Sequence, residues 1–457
     1  MKEFSSLVPW LFQQQYKGVS LRLETPTALL AALGNPQTKV PVLHIAGTNG
    51  KGSLSAFSAS LLKAAGLRVG LYTSPHLVDF RERIQINGEM ISQEDLEQGI
   101  KRLQIATRGW QTLPTFFELT TALAFDYFAR QECDVIVLET GVGGRLDATN
   151  LATHKIACAI TPISMDHQEW LGSTLTDIAR EKAGIMRPGV PVVTSPQPGE
   201  VMEVLNEEAA RLGALLVVVR EPLDSTMTLG LAGPHQRWNA ALALELVQQG
   251  PWKISEEAIR QGLKNVSWPG RFQCFRLNAG RFPNRKNDSD YDSALLGKTS
   301  ANCELSTANC NCSTPWSEGA EQLLILDGAH NPAAAEQLVV TWKEIFPHQK
   351  CDLIFGSLLD KEGEKMLRIL EPITSSINLV SVHSSRTASP AELQKIVPSA
   401  TTFSSLEEVF KKKNILLDNV SSFSADRQPP ILLTGSLFLV GEALALLQGR
   451  SHSSFSQ

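Results

Sequence analysis

The chain predicts an α/β protein: a doubly wound parallel-sheet domain followed by a smaller Rossmann-like α/β domain. Two observations carry this reading. Short apolar runs, among them Val40–Ala46, Asp134–Leu138 and Lys155–Thr161, alternate with segments of helical spacing, the arithmetic of βαβ units. These runs end in glycine, hydroxyl or charged residues, so polar groups collect at the carboxyl ends of the strands, where open α/β sheets bind ligands. A length of 457 residues exceeds one ordinary core and predicts two domains, 1–269 and 270–457.

The first element to justify is Pro41–Ser53, PVLHIAGTNGKGS. An apolar strand breaks into Gly47, Thr48, Asn49, Gly50, Lys51, Gly52 and Ser53 and continues as a helix with Leu54, Phe57, Leu61 and Leu62 on one face. Gly66 sits where a C-terminal cap belongs. Strand, glycine-rich turn with a lysine and a hydroxyl residue, then helix is the layout of a phosphate-binding P-loop. Backbone amides and the helix N-terminus bind the anion, Lys51 neutralises charge, and a hydroxyl can reach Mg²⁺. The spacing departs from G-x-x-x-x-G-K-[ST] because Gly52 separates Lys51 from Ser53, and an ordinary glycine-rich turn would also suit these residues.

Farther along, Leu67–Tyr72 reads as a strand, Val78–Glu89 as a loop or hairpin, Ser92–Ile105 as a helix capped by Ser92, and Thr115–Ala129 as an apolar helix. Val190–Ser195 is a further strand and Val201–Gly213 a helix. Ile254–Asn265 is helical, and Ser267–Arg271, rich in breakers, is the interdomain linker. In the second domain Gln322–Leu326 is a strand, and Asn331 with Pro332 starts a helix running to Phe346. Alternation then continues through Cys351–Ser357, Glu362–Leu370, Ile377–Val382, Pro390–Val397, Leu406–Lys412 and Ile431–Thr434 to a final helix. Residues 281–320, polar and poor in aliphatics, read as a disordered insertion, and the spacing of Cys303, Cys310 and Cys312 is not that of a zinc site.

Composition bounds the function. Hydrophobic residues make up 43% and charged residues 19%, the balance of a soluble globular protein, and a net charge of −5 gives no basic footprint for nucleic acid. No apolar run approaches the roughly 20 residues of a membrane span. The N-terminus lacks a signal-peptide core, and seven scattered cysteines predict reduced thiols in a cytoplasm. Ser74, Glu139 and His167 each follow a strand, as does the glycine-rich loop. Together they can converge on one Mg²⁺–nucleotide site, with Ser74 and Glu139 offering hard oxygens. His167 is an unusual Mg²⁺ ligand and reads equally as a surface or core histidine. Arg81 and Arg83 read as solvated charges or as partners for acidic groups of a substrate.

Six motifs in order then resemble one family: Gly47–Ser53 (GTNGKGS), Ser74–Leu77 (SPHL), Glu139–Asn150 (ETGVGGRLDATN), Asp166–Gly172 (DHQEWLG), Glu181–Ile185 (EKAGI) and Asp327–Pro332 (DGAHNP). The ensemble resembles folylpolyglutamate synthase/dihydrofolate synthase, a branch of the Mur ligase superfamily, and covers nearly the whole chain outside the insertion. The resemblance implies a first domain of the Mur ligase central-domain type and ATP-dependent ligation of L-glutamate to a pterin carboxylate through an acyl phosphate. It implies ATP and two Mg²⁺ ions, with Ser74 and Glu139 on one ion and His167 on the second. It implies that Lys182 is carbamylated, that Asn239, Arg271 and Asp327 contact the nucleotide, and that His330 joins Lys51, His167, Lys182 and Asp327 in the catalytic set. Thr115, Phe116, Phe117 and Glu118 with Leu146, Asp147 and Ala148 would surround the pterin, although adjacent aromatics opening an apolar helix also read as core. The implied acceptors are dihydropteroate, a reduced folate, or both, and the implied state is a monomer. Two alternatives stand beside this reading. One is a cell-wall amino-acid ligase of the same superfamily, which the GTNGKGS form, SPHL and the lack of an extra N-terminal domain oppose. The other is an ATP-binding protein without chemistry, which the full set of charged residues opposes.

Overall fold

The structure, a computed structural model, describes residues 7–14, 18, 22–277, 322–413, 415 and 428–450. The insertion read over 281–320, with its three cysteines, lies outside the described residues. Among those residues no helix is long and apolar enough to cross a membrane. The described cysteines Cys133, Cys158, Cys274 and Cys351 are free thiols. The chain divides into two compact units: residues up to Leu229 with His235–Val266, and Gly230–Pro234 with the chain from Ser267 on.

The first unit is built on β1 (Val42–Ala46), β2 (Val69–Tyr72), β3 (Ile84–Ile86), β4 (Glu89–Met90), β5 (Val135–Glu139), β6 (Lys155–Ile160), β7 (Val192–Thr194) and β8 (Leu216–Val218). They form one sheet in the order β4-β3-β2-β5-β1-β6-β7-β8. The run from β2 to β8 is parallel, and β3 and β4 add an antiparallel hairpin at the β2 edge. Every residue of β1 and β5 is buried, as strands covered by helices on both faces must be. Of the loop and the hairpin expected over Val78–Glu89, the structure has the hairpin, turning at Asn87 and Gly88, both with positive φ. Sequence reasoning passed over β8 and the short helices Leu7–Phe12 and Glu24–Ala32. The helix ends are set locally. Ser92 caps Gln93–Ala106 by accepting from the Asp95 amide, and Gly213, left-handed at φ 60°, ends Gly199–Leu212.

The second unit carries β9 (Gln273–Leu277), β10 (Gln322–Leu326), β11 (Cys351–Phe355), β12 (Thr374–Val380), β13 (Thr401–Phe403) and β14 (Ile431–Thr434) in the order β13-β12-β11-β14-β10-β9. All pairs are parallel except the β9 edge, which runs against β10 and was not foreseen from sequence. Its core gathers Trp342, Phe346, Phe355 and Met366 beneath the helix Pro332–Ile345. Asn331 caps that helix through the Ala334 amide, with Pro332 at its first position as the sequence predicts.

Candidate active site

In the first unit the strands β2, β5, β1 and β6 are consecutive neighbours, so the loops that follow them lie side by side. These loops carry Ser74, the glycine-rich turn and His167, and Glu139, expected just past its strand, is the last residue of β5. The glycine-rich turn needs its glycines. Gly47 has φ 146°, and a Cβ there would stand 1.8 Å from Thr161 Oγ1. Gly50 has φ 91°, and a Cβ there would meet Asn239 Oδ1 at 2.6 Å. Asn239, buried on the helix Pro234–Gln248, therefore sits against the turn.

The turn is fastened to the loop after β6. The amides of Thr48 and Asn49 donate to the Pro162 carbonyl at 3.1 and 3.2 Å. Thr48 Oγ1 accepts from the Ser164 amide and donates to its carbonyl, and Asn49 Nδ2 donates to Ser164 Oγ. The helix Lys51–Ala64 then starts with no side-chain cap, its first backbone bond running from Leu54 to Gly50. The amides of Lys51, Gly52 and Ser53 are thus the open donors of a helix N-terminus, a ready anion cradle. Lys51 Nζ donates to the carbonyls of Gly47 and Thr48, both at 3.1 Å.

Glu139 closes β5, buried, and the Ser74 amide lies 3.4 Å from its Oε2, so the structure brings these two together. His167 stands left-handed at φ 51°, its amide donating to Asp166 Oδ1 at 2.9 Å and its Nε2 3.8 Å from Asp166 Oδ2. Among the described residues no group of three His, Cys, Asp or Glu side chains converges as a metal cluster. A buried carboxylate and a serine beside a phosphate cradle are nonetheless the hard-oxygen set that suits Mg²⁺.

Lys182 is buried on the helix Leu175–Ala183 and donates to the Gly47 carbonyl at 2.8 Å. Burial first, and the charge of Lys51 second, pull its amine down to about 7, against the opposing pull of Asp166 and Asp147. The loop after β5 docks on this helix. The Arg145 amide donates to Glu181 O, Asn150 Nδ2 donates to the Arg145 and Gly184 carbonyls, and a Cβ at Gly144 would meet Glu181 O at 2.8 Å. The ETGVGGRLDATN and EKAGI motifs are in this way two halves of one interlock.

Several residues expected around the pterin have other work. Asp147 spends its carboxylate on the amides of Gly141, Val142 and Thr149 and on the Thr149 hydroxyl, and burial raises its pKa. Its local role is to shape the loop. His44, buried in β1, completes the chain with Nε2 2.9 Å from Thr149 Oγ1; since that hydroxyl donates to Asp147, the imidazole is the donor. Burial holds His44 well below the usual histidine range, so it is neutral. Sequence reasoning passed over it, though a histidine inside an otherwise apolar strand was the signal.

Thr115 and Glu118 form a reciprocal capping box for the helix Phe116–Arg130. Phe116 is core: its ring stacks on Phe12 at 5.4 Å and meets Phe80 edge-on at 5.9 Å. Phe117 is half-buried and faces Gly141, where a Cβ would be 2.5 Å from its ring. Leu146 is half-buried and Ala148 buried. Arg81 pairs with Asp79 at 2.8 Å, whereas Arg83, read as a solvated charge or a substrate partner, is buried.

In the second unit Asp327 follows β10 and accepts from the amides of Phe272 and Ala329, both at 2.9 Å. Burial raises its pKa against the pull of Arg271, which lies over Gly328, 2.5 Å from where a Cβ would stand. Asp327 and Arg271 are thus brought together. His330 Nδ1 donates to the Gly328 carbonyl at 2.8 Å. Beside them Gly435, following β14, donates to the Ala329 carbonyl.

Residues 316–436 match the family model described as Mur ligase, glutamate ligase domain. A dihydrofolate synthase/folylpolyglutamate synthase of Bacillus subtilis is 31% identical over 95% of this chain and 96% of its own length. A dihydrofolate synthetase of Saccharomyces cerevisiae is 30% identical over 94% of this chain and 98% of its own. The chain belongs to the folylpolyglutamate synthase/dihydrofolate synthase family. As a family member it is an ATP-dependent ligase with the Mur ligase fold. Among solved structures, E. coli FolC in complex with DHPP and ADP superposes with a TM-score of 0.76 at 27% identity, covering 97% of this chain and 98% of that one.

Proposed function

We propose that the enzyme joins L-glutamate to the carboxylate of a pterin-bearing acceptor, both dihydropteroate and the glutamyl end of a reduced folate. The observation that carries this reading is the gathering of the phosphate cradle and the Ser74–Glu139 pair at neighbouring strand ends, with the buried Lys182 held on the Gly47 carbonyl, in a chain of this family.

The chemistry has two steps. An acceptor carboxylate oxygen attacks the γ-phosphorus of ATP, and ADP leaves. The glutamate amine, having lost a proton, then attacks the acyl carbon, and phosphate leaves as the amide forms. The amides of Lys51, Gly52 and Ser53 hold the nucleotide phosphates, and Lys51 balances charge developing on the transferred group. Asn239 fixes the turn beneath them. Ser74 and Glu139 would hold one Mg²⁺ ion and His167 a second. When bound, Mg²⁺ supplies charge neutralisation at the phosphoryl oxygens.

Lys182 fits carbamylation on its own chemistry. A neutral amine is the form that adds CO₂, and burial brings this lysine to about 7. The carbamate would replace a cation beside Lys51 with an anion able to face Mg²⁺. The family resemblance makes Asp327 and Arg271 nucleotide contacts and His330 a member of the catalytic set, and within the second unit the three lie close together. Phe117 is the aromatic left for the pterin, since Phe116 is committed to the core. The bifunctional reading draws support from the Bacillus subtilis relative, whose name carries both activities.

The test is phosphate release from ATP, Mg²⁺ and L-glutamate with dihydropteroate or tetrahydrofolate as acceptor. Release with both is expected. Release with one alone would assign a single activity, and silence with both would overturn the proposal.

A further inference from the structure

Arg83 is 4% exposed, yet its guanidinium carries no dedicated counter-ion. Its Nε donates to Nδ1 of the buried His76 at 2.7 Å, and its Cζ lies 5.2 Å from the centre of the Phe116 ring. Among the described residues its terminal nitrogens have no hydrogen-bond partner. The adjacent Glu82 is already spent on the amides of Leu77, Val78 and Asp79. The attraction of Tyr72, Glu82 and Glu139 does not offset its burial. A guanidinium stays charged regardless, so the molecule holds a desolvated cation with an open two-pronged donor set.

Position says which anion fills it. The Arg83 carbonyl accepts from the Thr73 amide, which fixes the arginine beside the carboxyl end of β2, next to Ser74. The phosphate cradle follows β1, and β5 lies between β2 and β1. Phe116 and Phe117, by contrast, open the helix on which Arg83 rests. The fork therefore stands on the acceptor side of Glu139 rather than over the nucleotide phosphates.

We infer that Arg83, braced by His76 and Phe116, binds a carboxylate of the pterin-bearing acceptor through its two terminal nitrogens. The inference rests on the ligase reading above. A planar carboxylate matches the fork in a bidentate pair, which a lysine cannot reproduce. Two carboxylates share this chemistry: the one on the pteroyl ring system and the one on a glutamyl tail.

The experiment compares binding of dihydropteroate and its neutral carboxamide, with ADP and Mg²⁺ present, by the wild type, Arg83→Gln and Arg83→Lys. The wild type is expected to prefer the carboxylate by about tenfold or more, from the strength of a charge-assisted pair. Arg83→Gln should lose that preference and raise the acceptor KM, leaving the ATP KM within about twofold, because only the acceptor pair is removed. Arg83→Lys, which keeps the charge against Phe116, should fall between. Tetrahydrofolate separates the sources. In tetrahydrofolate the pteroyl carboxyl is already an amide, so weakening of dihydropteroate alone marks the pteroyl carboxylate, and weakening of both acceptors marks a fork that also takes a glutamyl carboxylate. Preference retained in both variants, or absent from the wild type, would overturn the inference. A wild type that binds neither pterin compound would instead overturn the ligase reading.

Discussion

Lys51 and Lys182, from different helices, donate to one acceptor, the carbonyl of Gly47. That carbonyl belongs to the first residue of the phosphate turn, which is held in a glycine-only conformation against Thr161. The pairing sets two amines close together in a buried place, and the outcome is unequal. Lys182 is brought to about 7 by burial and by the charge of Lys51. In the function proposed above, one lysine is the cation for phosphate and the other the nucleophile toward CO₂.

The first prediction follows from that inequality. Lys182→Arg keeps a cation but cannot form a carbamate, so kcat for phosphate release should fall by about 10²-fold or more, the loss typical of removing one charge-stabilising group. ADP binding should change little, because the cradle amides are untouched. Lys182→Ala with added acetate, which can enter the vacated space as a surrogate anion, should recover part of the rate. Normal turnover by the arginine variant would sink the role given to Lys182.

Gly50→Ala should cripple nucleotide binding. The substitution forces a side chain into φ 91° and drives it to 2.6 Å from Asn239 Oδ1. A strained non-glycine residue in this region costs about 1–3 kcal/mol, and the cradle geometry would relax to escape it. Calorimetric titration with ADP should report an affinity about 5- to 150-fold weaker, by the same energy. Adding Asn239→Ala relieves the contact but not the backbone strain, so recovery should be partial. Full affinity in the single variant would mean that the turn does not hold phosphate.

Much of this was legible in the sequence, for stated reasons. Apolar runs buried on both faces announce parallel strands, which is how β1, β5 and β6 could be read, and glycine with lysine after the first announced the cradle. The β9 edge was missed because a short, partly exposed strand carries no such run, whereas β8 lies in the apolar run Ala214–Val219 and was passed over although the signal was there. The pterin residues were the harder case. Thr115, Glu118 and Asp147 carry donors and acceptors suited to a ligand, and the fold commits Thr115, one oxygen of Glu118 and Asp147 to a capping box and a loop, leaving Glu118 Oε1 buried without a partner among the described residues. Arg83 failed in the other direction. A charge in a polar segment reads as surface, and only the fold puts it under Phe116.

The two phenylalanines should therefore separate. Phe116→Ala removes a ring packed on Phe12 and Phe80 and should destabilise the protein by about 3–5 kcal/mol, as large aromatic truncations in cores do. Phe117→Ala, at a half-buried ring facing Gly141, should cost less stability and raise the acceptor KM. Urea midpoints and acceptor kinetics on both variants decide it. The reverse pattern would move the pterin to Phe116.

The last prediction concerns a lysine to which no catalytic role is given. Lys155 opens β6, buried, with Nζ donating to Asn150 Oδ1 at 2.7 Å and to the Ile185 carbonyl at 2.8 Å. Burial first brings it to about 7; Arg187 pushes the same way, and Cys158 and Asp147 only partly oppose. Its folded value lies below the 10.5 of a free lysine, so between about 7 and 10.5 the unfolded chain binds more protons than the folded one. Stability from this site therefore rises with pH across that window, by up to about 1.4 kcal/mol per pH unit. Lys155→Met removes the titration without stranding its acceptors, because Arg187 also donates to Asn150 Oδ1 and Cys158 Sγ reaches Ile185 O. Between pH 7 and 9 the wild type should gain stability relative to the methionine variant, read as a growing difference in urea midpoint. A difference that stays flat across that range would mean that Lys155 keeps its proton in the folded protein, with the carbonyl and amide oxygens around it sufficient to hold a buried charge.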